Sequence, residues 1–486
     1  MFTIMHISDL HRSPVDPISN EELISTLVAD RDRYRAETCP IKSPNLIVIS
    51  GDLIQGASLG DQDHKNNIKD QYDIAYDFLI NLTNRFLDGD KSKLIFVPGN
   101  HDIDWNIALQ SMKEVDPDEI NTPMLSALTM KGSAFRWCWR SRKLYKITNF
   151  DLYESRFVGF KAIHDKFYSG TDNKPIEIHP YCHLHNVDNG RIFVAAFNSC
   201  YANDCFSFAG CIPEQAIAKC HLYLHDNNYH NSLLIAGWHH NIEGPPLASD
   251  YMDIDTVRRL IGKGFRLGLH GHQHISQAAG HYVHLPQEES MALVAVGSLC
   301  AGRNELPVGA FRQYNIVEIA DNYHEARVHV REMSISTSFS PSNSLPTESG
   351  SYLAIRWTPL KDILGRPIDI DRDFINKTLL SAEEMYNIHD YSETVKLLLP
   401  IANNLPPLGR KLYLESLFKL EKWNDIIFFT QKPLSVDECL LAVKSMVEVK
   451  DFATAKEFLN KWATTLNLPD IQKQEIDNWI ATLRDM

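Results

Sequence analysis

Seven apolar runs in this chain each stop on a glycine, a proline or a polar residue. Phe2–Ser8 ends at Asp9-Leu10-His11, Asn45–Ser50 at Gly51-Asp52, and Leu94–Val97 at Pro98-Gly99-Asn100-His101-Asp102. Arg191–Phe197 ends at Asn198 and Leu233–Ala236 at Gly237-Trp238-His239-His240. Arg266–Leu269 ends at His270-Gly271-His272-Gln273-His274, and Ala292–Val296 at Gly297-Ser298. Short continuous runs without alternation are strands buried on both faces, which requires covering layers on each side. The helical stretches between the runs supply cover, so the first two-thirds of the chain reads as α/β. In such folds the functional side chains sit where the strands end.

Composition narrows the class further. The chain has 486 residues, enough for two to three domains. Its net charge of −14 argues against non-specific binding to nucleic acid or anionic membrane through the whole surface. Nine scattered cysteines do not read as a disulfide framework and fit a reducing, cytoplasmic setting. No apolar window is long enough to span a bilayer, and Met1–Ile7 runs into a strand pattern rather than a signal peptide. Histidine is in excess, at 21 residues, and it gathers at the strand ends.

Those ends carry Asp9 and His11, Asp52, Asn100, His239, then His272 and His274. One Asp or His after a strand is commonplace; the whole ordered set is not. Carboxylate and amide oxygens mixed with imidazoles suit Mn, Fe or Zn, and two such ions held close together clamp phosphoryl oxygens. The order Asp9-Leu10-His11, Gly51-Asp52, Gly99-Asn100-His101-Asp102, His239-His240 and Gly271-His272-Gln273-His274 resembles the calcineurin-like metallophosphoesterase superfamily, over residues 1 to about 330. The resemblance implies a four-layer α/β/β/α sandwich with two divalent ions, Mn2+ foremost, with Fe, Zn, Co or Ni as alternatives. It places Asp9, His11 and His274 on one ion, Asn100, His239 and His272 on the other, and Asp52 between them. It favours His239 over its neighbour His240 as the ligand. His101 would contact the phosphoryl oxygen or protonate the leaving group, and Asp102 would orient a ligand.

The implied reaction is hydrolysis of a phosphate ester by a metal-bridging hydroxide. Phosphoprotein phosphatases and dinucleoside-tetraphosphate hydrolases carry Asp-Arg-Gly after the second motif, where this chain has Leu53-Ile54-Gln55-Gly56-Ala57. Lipid-A-precursor hydrolases usually have Arg at the place of His101. What remains is the group with cyclic-nucleotide phosphodiesterases and double-strand-break-repair nucleases, hence an expected phosphodiesterase or nuclease. The rivals are a phosphomonoesterase on a phosphoprotein or small metabolite, and a scaffold whose metal centre is weakly active.

An insertion at about 105–190 separates the third and fourth motifs. Within it Ile120–Phe150 lacks Asp and Glu, and Arg136, Arg140, Arg142, Lys143 and Lys146 interleave with Phe135, Trp137, Trp139 and Tyr145. This is either an amphipathic helix with its Trp packed inward or a cap whose Arg136, Arg140, Arg142, Trp137 and Trp139, with His240, face the substrate. Cys200, Cys205, Cys211 and Cys220 lack the C-x₂-C spacing of a zinc site and read as buried.

Ser334–Ser351 is rich in Ser, Thr and Pro and reads as a linker, followed by Tyr352–Asp369 as linker or clasp. Beyond it Met385, Leu417 and Met446 each precede an aromatic by six residues, and those aromatics (Tyr391, Trp423, Phe452) are 32 and 29 residues apart. The pattern resembles tetratricopeptide-type helical hairpins, which would offer a protein partner a groove. The expected division is a metallophosphoesterase domain at 1–333, a linker or clasp at 334–372 and a helical-repeat domain at 373–486.

Overall fold

The computed structural model describes residues 1–16, 18–130, 132–229, 231–242, 250–283, 289–301, 306–307, 310–333, 337–342, 352–361, 368–466 and 468–484. The chain divides into two compact units, Met1–Ile370 and Asp371–Met486.

In chain order the strands of the first unit are β1 (Phe2–Ile7), β2 (Leu46–Ile49), β3 (Leu94–Phe96), β4 (Met112–Glu114), β5 (Phe135–Cys138) and β6 (Lys143–Ile147). Then come β7 (Ile176–His179), β8 (Cys182–Asn186), β9 (Ile192–Phe197), β10 (Leu233–Gly237), β11 (Phe265–His270) and β12 (Gln277–Val283). The last are β13 (Glu289–Ala295), β14 (Gln313–Ile319), β15 (Glu325–Met333), β16 (Phe339–Pro341) and β17 (Leu353–Arg356). One sheet runs β16-β15-β14-β1-β2-β3 with β17 also on β15, and the second runs β12-β13-β11-β10-β9-β8-β7. The motif-bearing strands lie side by side and parallel: β1 with β2, β2 with β3, and β9 with β10 with β11.

The apolar runs are continuous because alternate residues serve different layers. In β2, Leu46 and Val48 point into the core between the sheets, while Ile47 and Ile49 pack beneath helices Asn20–Arg31 and His64–Phe86. In β9, Ile192 and Val194 join the same central core, while Phe193, Ala195 and Phe197 pack beneath helices Glu214–Asp226 and Ile254–Gly262. Both faces of each sheet are therefore covered, giving helix, sheet, sheet and helix layers. No described helix is long and apolar enough to cross a membrane.

The insertion does not fold as a body apart. Its first part forms a small sheet, β4-β6-β5, but β7 and β8 extend the second sheet antiparallel to β9. The basic-aromatic segment is a hairpin, β5 against β6, rather than an amphipathic helix. The Ser/Thr/Pro stretch is not simply a linker either. Within it β16 pairs with β15, and beyond it β17 does the same. Phe339 is buried in the core beneath helices Asn20–Arg31 and His64–Phe86, and Ile355 and Trp357 in the central core, which is why these segments close on the sheet. The rest of Ser334–Ser351 lies largely outside the described residues.

The second unit is all helical: Ile370–Asn387, Tyr391–Leu398, Pro407–Lys419, Trp423–Phe429, Val436–Glu448, Phe452–Ala463 and Asp470–Arg484. The three six-residue spacings mark one turn used three times. His389, Glu421 and Lys450 adopt left-handed backbone with φ of 64°, 56° and 63°. Just after each, the N–H of Asp390, Lys422 or Asp451 donates to the carbonyl of Met385, Leu417 or Met446 at 2.9, 3.0 and 2.9 Å. That six-to-one bond closes a helix end while the next begins at the aromatic. Tyr391, Trp423 and Phe452 are each the first helical residue after the turn.

Two outcomes follow. A chain ended at Ile370 keeps β17, Ile355 and Trp357, whereas one ended at Pro346 loses them. Losing a buried Trp side chain alone costs ~3–5 kcal/mol. The shorter chain is expected to unfold at clearly lower urea concentration, or to precipitate, while the longer stays soluble. In the helical unit, Lys450→Gly relieves the left-handed penalty of ~1–2 kcal/mol at an entropic cost of ~0.5–1 kcal/mol. A gain of about 0.5–1 kcal/mol in denaturant unfolding is expected. A loss would show that the Lys450 side chain contributes more than its backbone strain costs.

Candidate metal centre

The loops after β1, β2, β3, β10 and β11 meet at one edge of the two sheets. Asp9, His11, Asp52, His272 and His274 all have positive φ, at 54°, 45°, 52°, 81° and 58°. Non-glycine residues rarely hold that conformation, and a cluster of them marks a place where surrounding bonds enforce strain. The bonds are present. The N–H groups of Leu10 and His11 both donate to the Asp52 carbonyl, at 2.8 and 3.0 Å, and that of Asp9 to the Gly51 carbonyl at 3.1 Å. Two motif glycines are fixed by close approach. A Cβ on Gly99 would collide with the Asp52 carboxylate, and one on Gly271 with Ser8 and with Asp9 Oδ2.

Asn100 Oδ1, His239 Nε2 and His272 Nδ1 converge, with separations of 2.9, 3.1 and 3.2 Å. Donors ~2.0–2.2 Å from one metal ion and at right angles to each other stand about 3 Å apart, so the spacing fits a shared ion. His239 Nδ1 donates to the Ser50 carbonyl at 2.8 Å, which leaves Nε2 free to coordinate. An Asp250 carboxylate oxygen lies 3.4 Å from His272 Nε2, on the ring nitrogen opposite the Asn100 contact.

The other half of the centre is built from Asp9, His11 and His274. His274 Nε2 is 3.2 Å from Asp9 Oδ1 and 3.3 Å from His11 Nε2. Asp52 Oδ2 reaches both halves, 3.2 Å from His239 Nε2 and 3.8 Å from His11 Nε2. Ligand-capable atoms of Asp9, His11 and His274, of His11, Asp52 and His101, and of Asp9, Asp52 and His239 each lie within 4.8 Å of one another. Among the described residues no such group contains cysteine. The donor set thus fits two hard or borderline divalent ions.

The electrostatics agree. Burial would raise the Asp52 carboxyl, but His239 and His101 hold it well below the usual range. Burial would lower His239, yet Asp52, with Asp9 behind it, lifts that imidazole to about 9. His11 is depressed to about 4, by burial first. The point where Asp52 and His239 meet therefore takes up positive charge, as a proton or as a cation.

The remaining sequence-expected residues fall in distinct places. His101 is only half-buried, its Nδ1 donates to the Gln55 carbonyl at 2.8 Å, and its ring stands edge-on to His11 at 4.7 Å. Asp102 is buried. Its Oδ2 accepts from Gly99 N–H at 2.8 Å and Leu53 N–H at 3.1 Å, so it ties the second and third motif loops together. Burial, then Asp52, raises its carboxyl to about 7. Its side chain does not face solvent. His240 is buried with Nδ1 2.9 Å from Ser199 Oγ, away from the Asp52 and Asn100 oxygens that His239 meets.

Arg136 corrects the expectation of a substrate contact. It is buried, with Nε donating to Asp204 at 2.6 Å and Nη2 to Tyr153 at 3.0 Å. Arg140 and Arg142 are exposed on the hairpin turn, Trp137 is half-buried and Trp139 is 83% exposed. Sequence reasoning missed Ser199, whose Oγ accepts from His239 N–H at 3.1 Å, and Asp250 beside His272. Ser199 does follow the β9 strand end, the signal that located the other site residues.

The sequence matches a family model described as calcineurin-like phosphoesterase over residues 2–276. A search of curated proteins gives no match. Among solved structures the chain is similar to a dimetal phosphatase from Danio rerio at 10% identity and TM-score 0.38, covering 74% of this chain and 99% of that one. It is similar to the calcineurin-like phosphoesterase YfkN from Bacillus subtilis at 13% identity and TM-score 0.29, covering 77% and 96%. A Thermus thermophilus protein, TT1561, aligns at 11% identity and TM-score 0.29, covering 65% and 93%.

Because Asp52 Oδ2 lies 3.2 Å from a histidine donor in one ligand set and 3.8 Å from one in the other, Asp52→Asn is expected to reduce the Mn2+ retained after dialysis from two ions per chain to one or none. Plasma mass spectrometry reads this directly. Two ions retained by a folded variant would refute the shared-ligand assignment.

Proposed function

Since the chain belongs to the calcineurin-like phosphoesterase family, we propose that it is a dimetal phosphoric ester hydrolase whose substrates are phosphodiesters of nucleotide type. The observation that carries this is the Asp52 carboxylate, placed between two complete sets of nitrogen and oxygen donors. Asp9, His11 and His274 would hold one ion, Asn100, His239 and His272 the other, with Mn2+ the preferred metal. When bound, such ions supply a water that ionises near neutral pH and neutralise charge on phosphoryl oxygens.

The chain's own groups then do the following. The Ser50 carbonyl fixes the tautomer of His239, and the Asp250 carboxylate stands beside His272 Nε2. Asp102 holds the second and third loops at one spacing, which keeps Asn100 opposite Asp52. With its Nδ1 spent on Gln55, His101 offers Nε2 to the substrate, where it stabilises the phosphoryl oxygen or gives a proton to the departing alkoxide. The helical unit, with Phe428 and Leu434 exposed at 76% and 69%, is the surface for a protein partner. All nine cysteines are unbridged, in keeping with a cytoplasmic location.

Turnover of bis-p-nitrophenyl phosphate beside p-nitrophenyl phosphate, with Mn2+ present, tests the reading. Faster diester cleavage is expected. The reverse preference makes the protein a phosphomonoesterase, and two bound ions with neither ester cleaved makes it a scaffold. His101→Ala is expected to keep both ions while lowering kcat by about 10²–10⁴. Loss of metal from that variant would reassign His101 as a ligand.

A further inference from the structure

Close to the metal centre lies a cavity of ≈ 920 Å³, bounded by the β5–β6 hairpin, by Ala202–Cys211 and by Ile242 and Tyr251–Ile254. Two contacts join them. Gly210, in the cavity wall, lies so close to His240 that a Cβ there would come within 2.5 Å of the His240 Cβ, and the His240 ring is 4.9 Å from that of His272. Tyr251, also in the wall, follows Asp250, whose carboxylate stands beside His272.

The wall is apolar and aromatic: Leu125, Met130, Phe135, Trp137, Trp139 and Tyr251 form much of it. Its charged members are already committed. Arg136 is spent on Asp204 and Tyr153, and Asp253 caps helix Ile254–Gly262 by accepting from Asp255 N–H. The cavity therefore has no ready partner for a phosphate. It does have unsatisfied capacity of another kind. Trp139 is 83% exposed, its ring edge-on to Trp137 at 6.1 Å, so indole surface is left bare beside the cavity. The Trp137 Nε1 hydrogen is buried and meets no acceptor among the described residues. A buried donor of this sort calls for a partner.

We propose that this cavity is the subsite for the organic arm of the ester, and that it takes a flat, uncharged ring bearing a hydrogen-bond acceptor, the chemistry of a nucleobase. Indole surface accepts the ring face, the Trp137 N–H reads the acceptor, and the phosphate is left to the metal centre. The assignment rests on the phosphodiesterase reading for its orientation, but not for the binding itself.

Two measurements separate them. The first is equilibrium dialysis of thymidine, which carries no phosphate, against the full-length Mn2+-loaded protein. The second is KM for thymidine 5′-(p-nitrophenyl phosphate) against methyl p-nitrophenyl phosphate. Trp139→Ala removes exposed surface, and Trp137→Phe keeps a ring while deleting the N–H. In the wild type a KM at least about tenfold lower for the thymidine ester is expected, the usual order for one stacked base. Both variants should erase that advantage without changing KM for the methyl ester, and Trp139→Ala should abolish thymidine binding. Thymidine binding lost in Trp139→Ala, with neither ester cleaved, upholds the subsite and refutes the hydrolase reading. Both esters cleaved with equal KM, and no thymidine bound, overturns the subsite and leaves the hydrolase reading standing.

Discussion

After β2 the Asp52 side chain is nearly sealed from solvent, its Oδ2 3.2 Å from His239 Nε2 and 3.8 Å from His11 Nε2. Burying a carboxylate without compensation costs many kcal/mol, so the surroundings of this group are not free to vary. Its backbone carbonyl receives two N–H groups from the first motif, and Oδ1 receives the His101 N–H at 2.8 Å. The third motif must come close enough for that bond, which explains why its leading residue, Gly99, has no Cβ. The strained turns at Asp9, His11, His272 and His274 answer the same demand, because they turn ligand atoms toward a charge that cannot move.

The layer architecture serves this arrangement. Parallel strands buried on both faces end in register, so short loops from different parts of the chain arrive together. Residues nearly 300 apart then become neighbours. Ser298 Oγ, after β13, donates to the Asp9 carbonyl at 2.7 Å, while the two sheets pack through Ile4, Val48, Val194 and Ile235. The rigidity of the centre comes from that packing, and the loops themselves need only be short.

Much of this was legible in the sequence because double burial writes itself as unbroken apolar runs, and the residue after each run is placed by the strand. What was illegible depends on distant partners. Phe135-Arg136-Trp137-Cys138 alternates as a strand does, but its inward-facing member is a charged Arg136, acceptable only because Asp204 lies opposite. Nothing within the segment announces Asp204. In the same way Phe339–Pro341 and Leu353–Arg356 look like parts of a linker until β15 is available to pair with them. Ser199 was hidden for a different reason: it acts through its hydroxyl on the backbone of a neighbouring strand end, and carries no metal-ligand signature. In the helical unit, the spacing of Met385 to Tyr391 and its two counterparts was visible, but its cause, a carbonyl closing the turn six residues back, was not.

The position of β1 has a consequence for how the chain must be made. Phe2–His6 is synthesised long before β14, the strand that covers one of its edges, registered Phe2 to Ile319. At about 5–20 residues per second, roughly 15–60 s separate the emergence of the two strands from a ribosome. Until β14 is available, the β1 edge of the parallel β1-β2-β3 set lacks its partner, and an unpaired apolar strand edge is the kind of surface that recruits other strands. The first unit closes only when β15 and β17 follow, near residue 357. Because this sheet joins strands from both ends of the first unit, it is completed late in the synthesis of that unit.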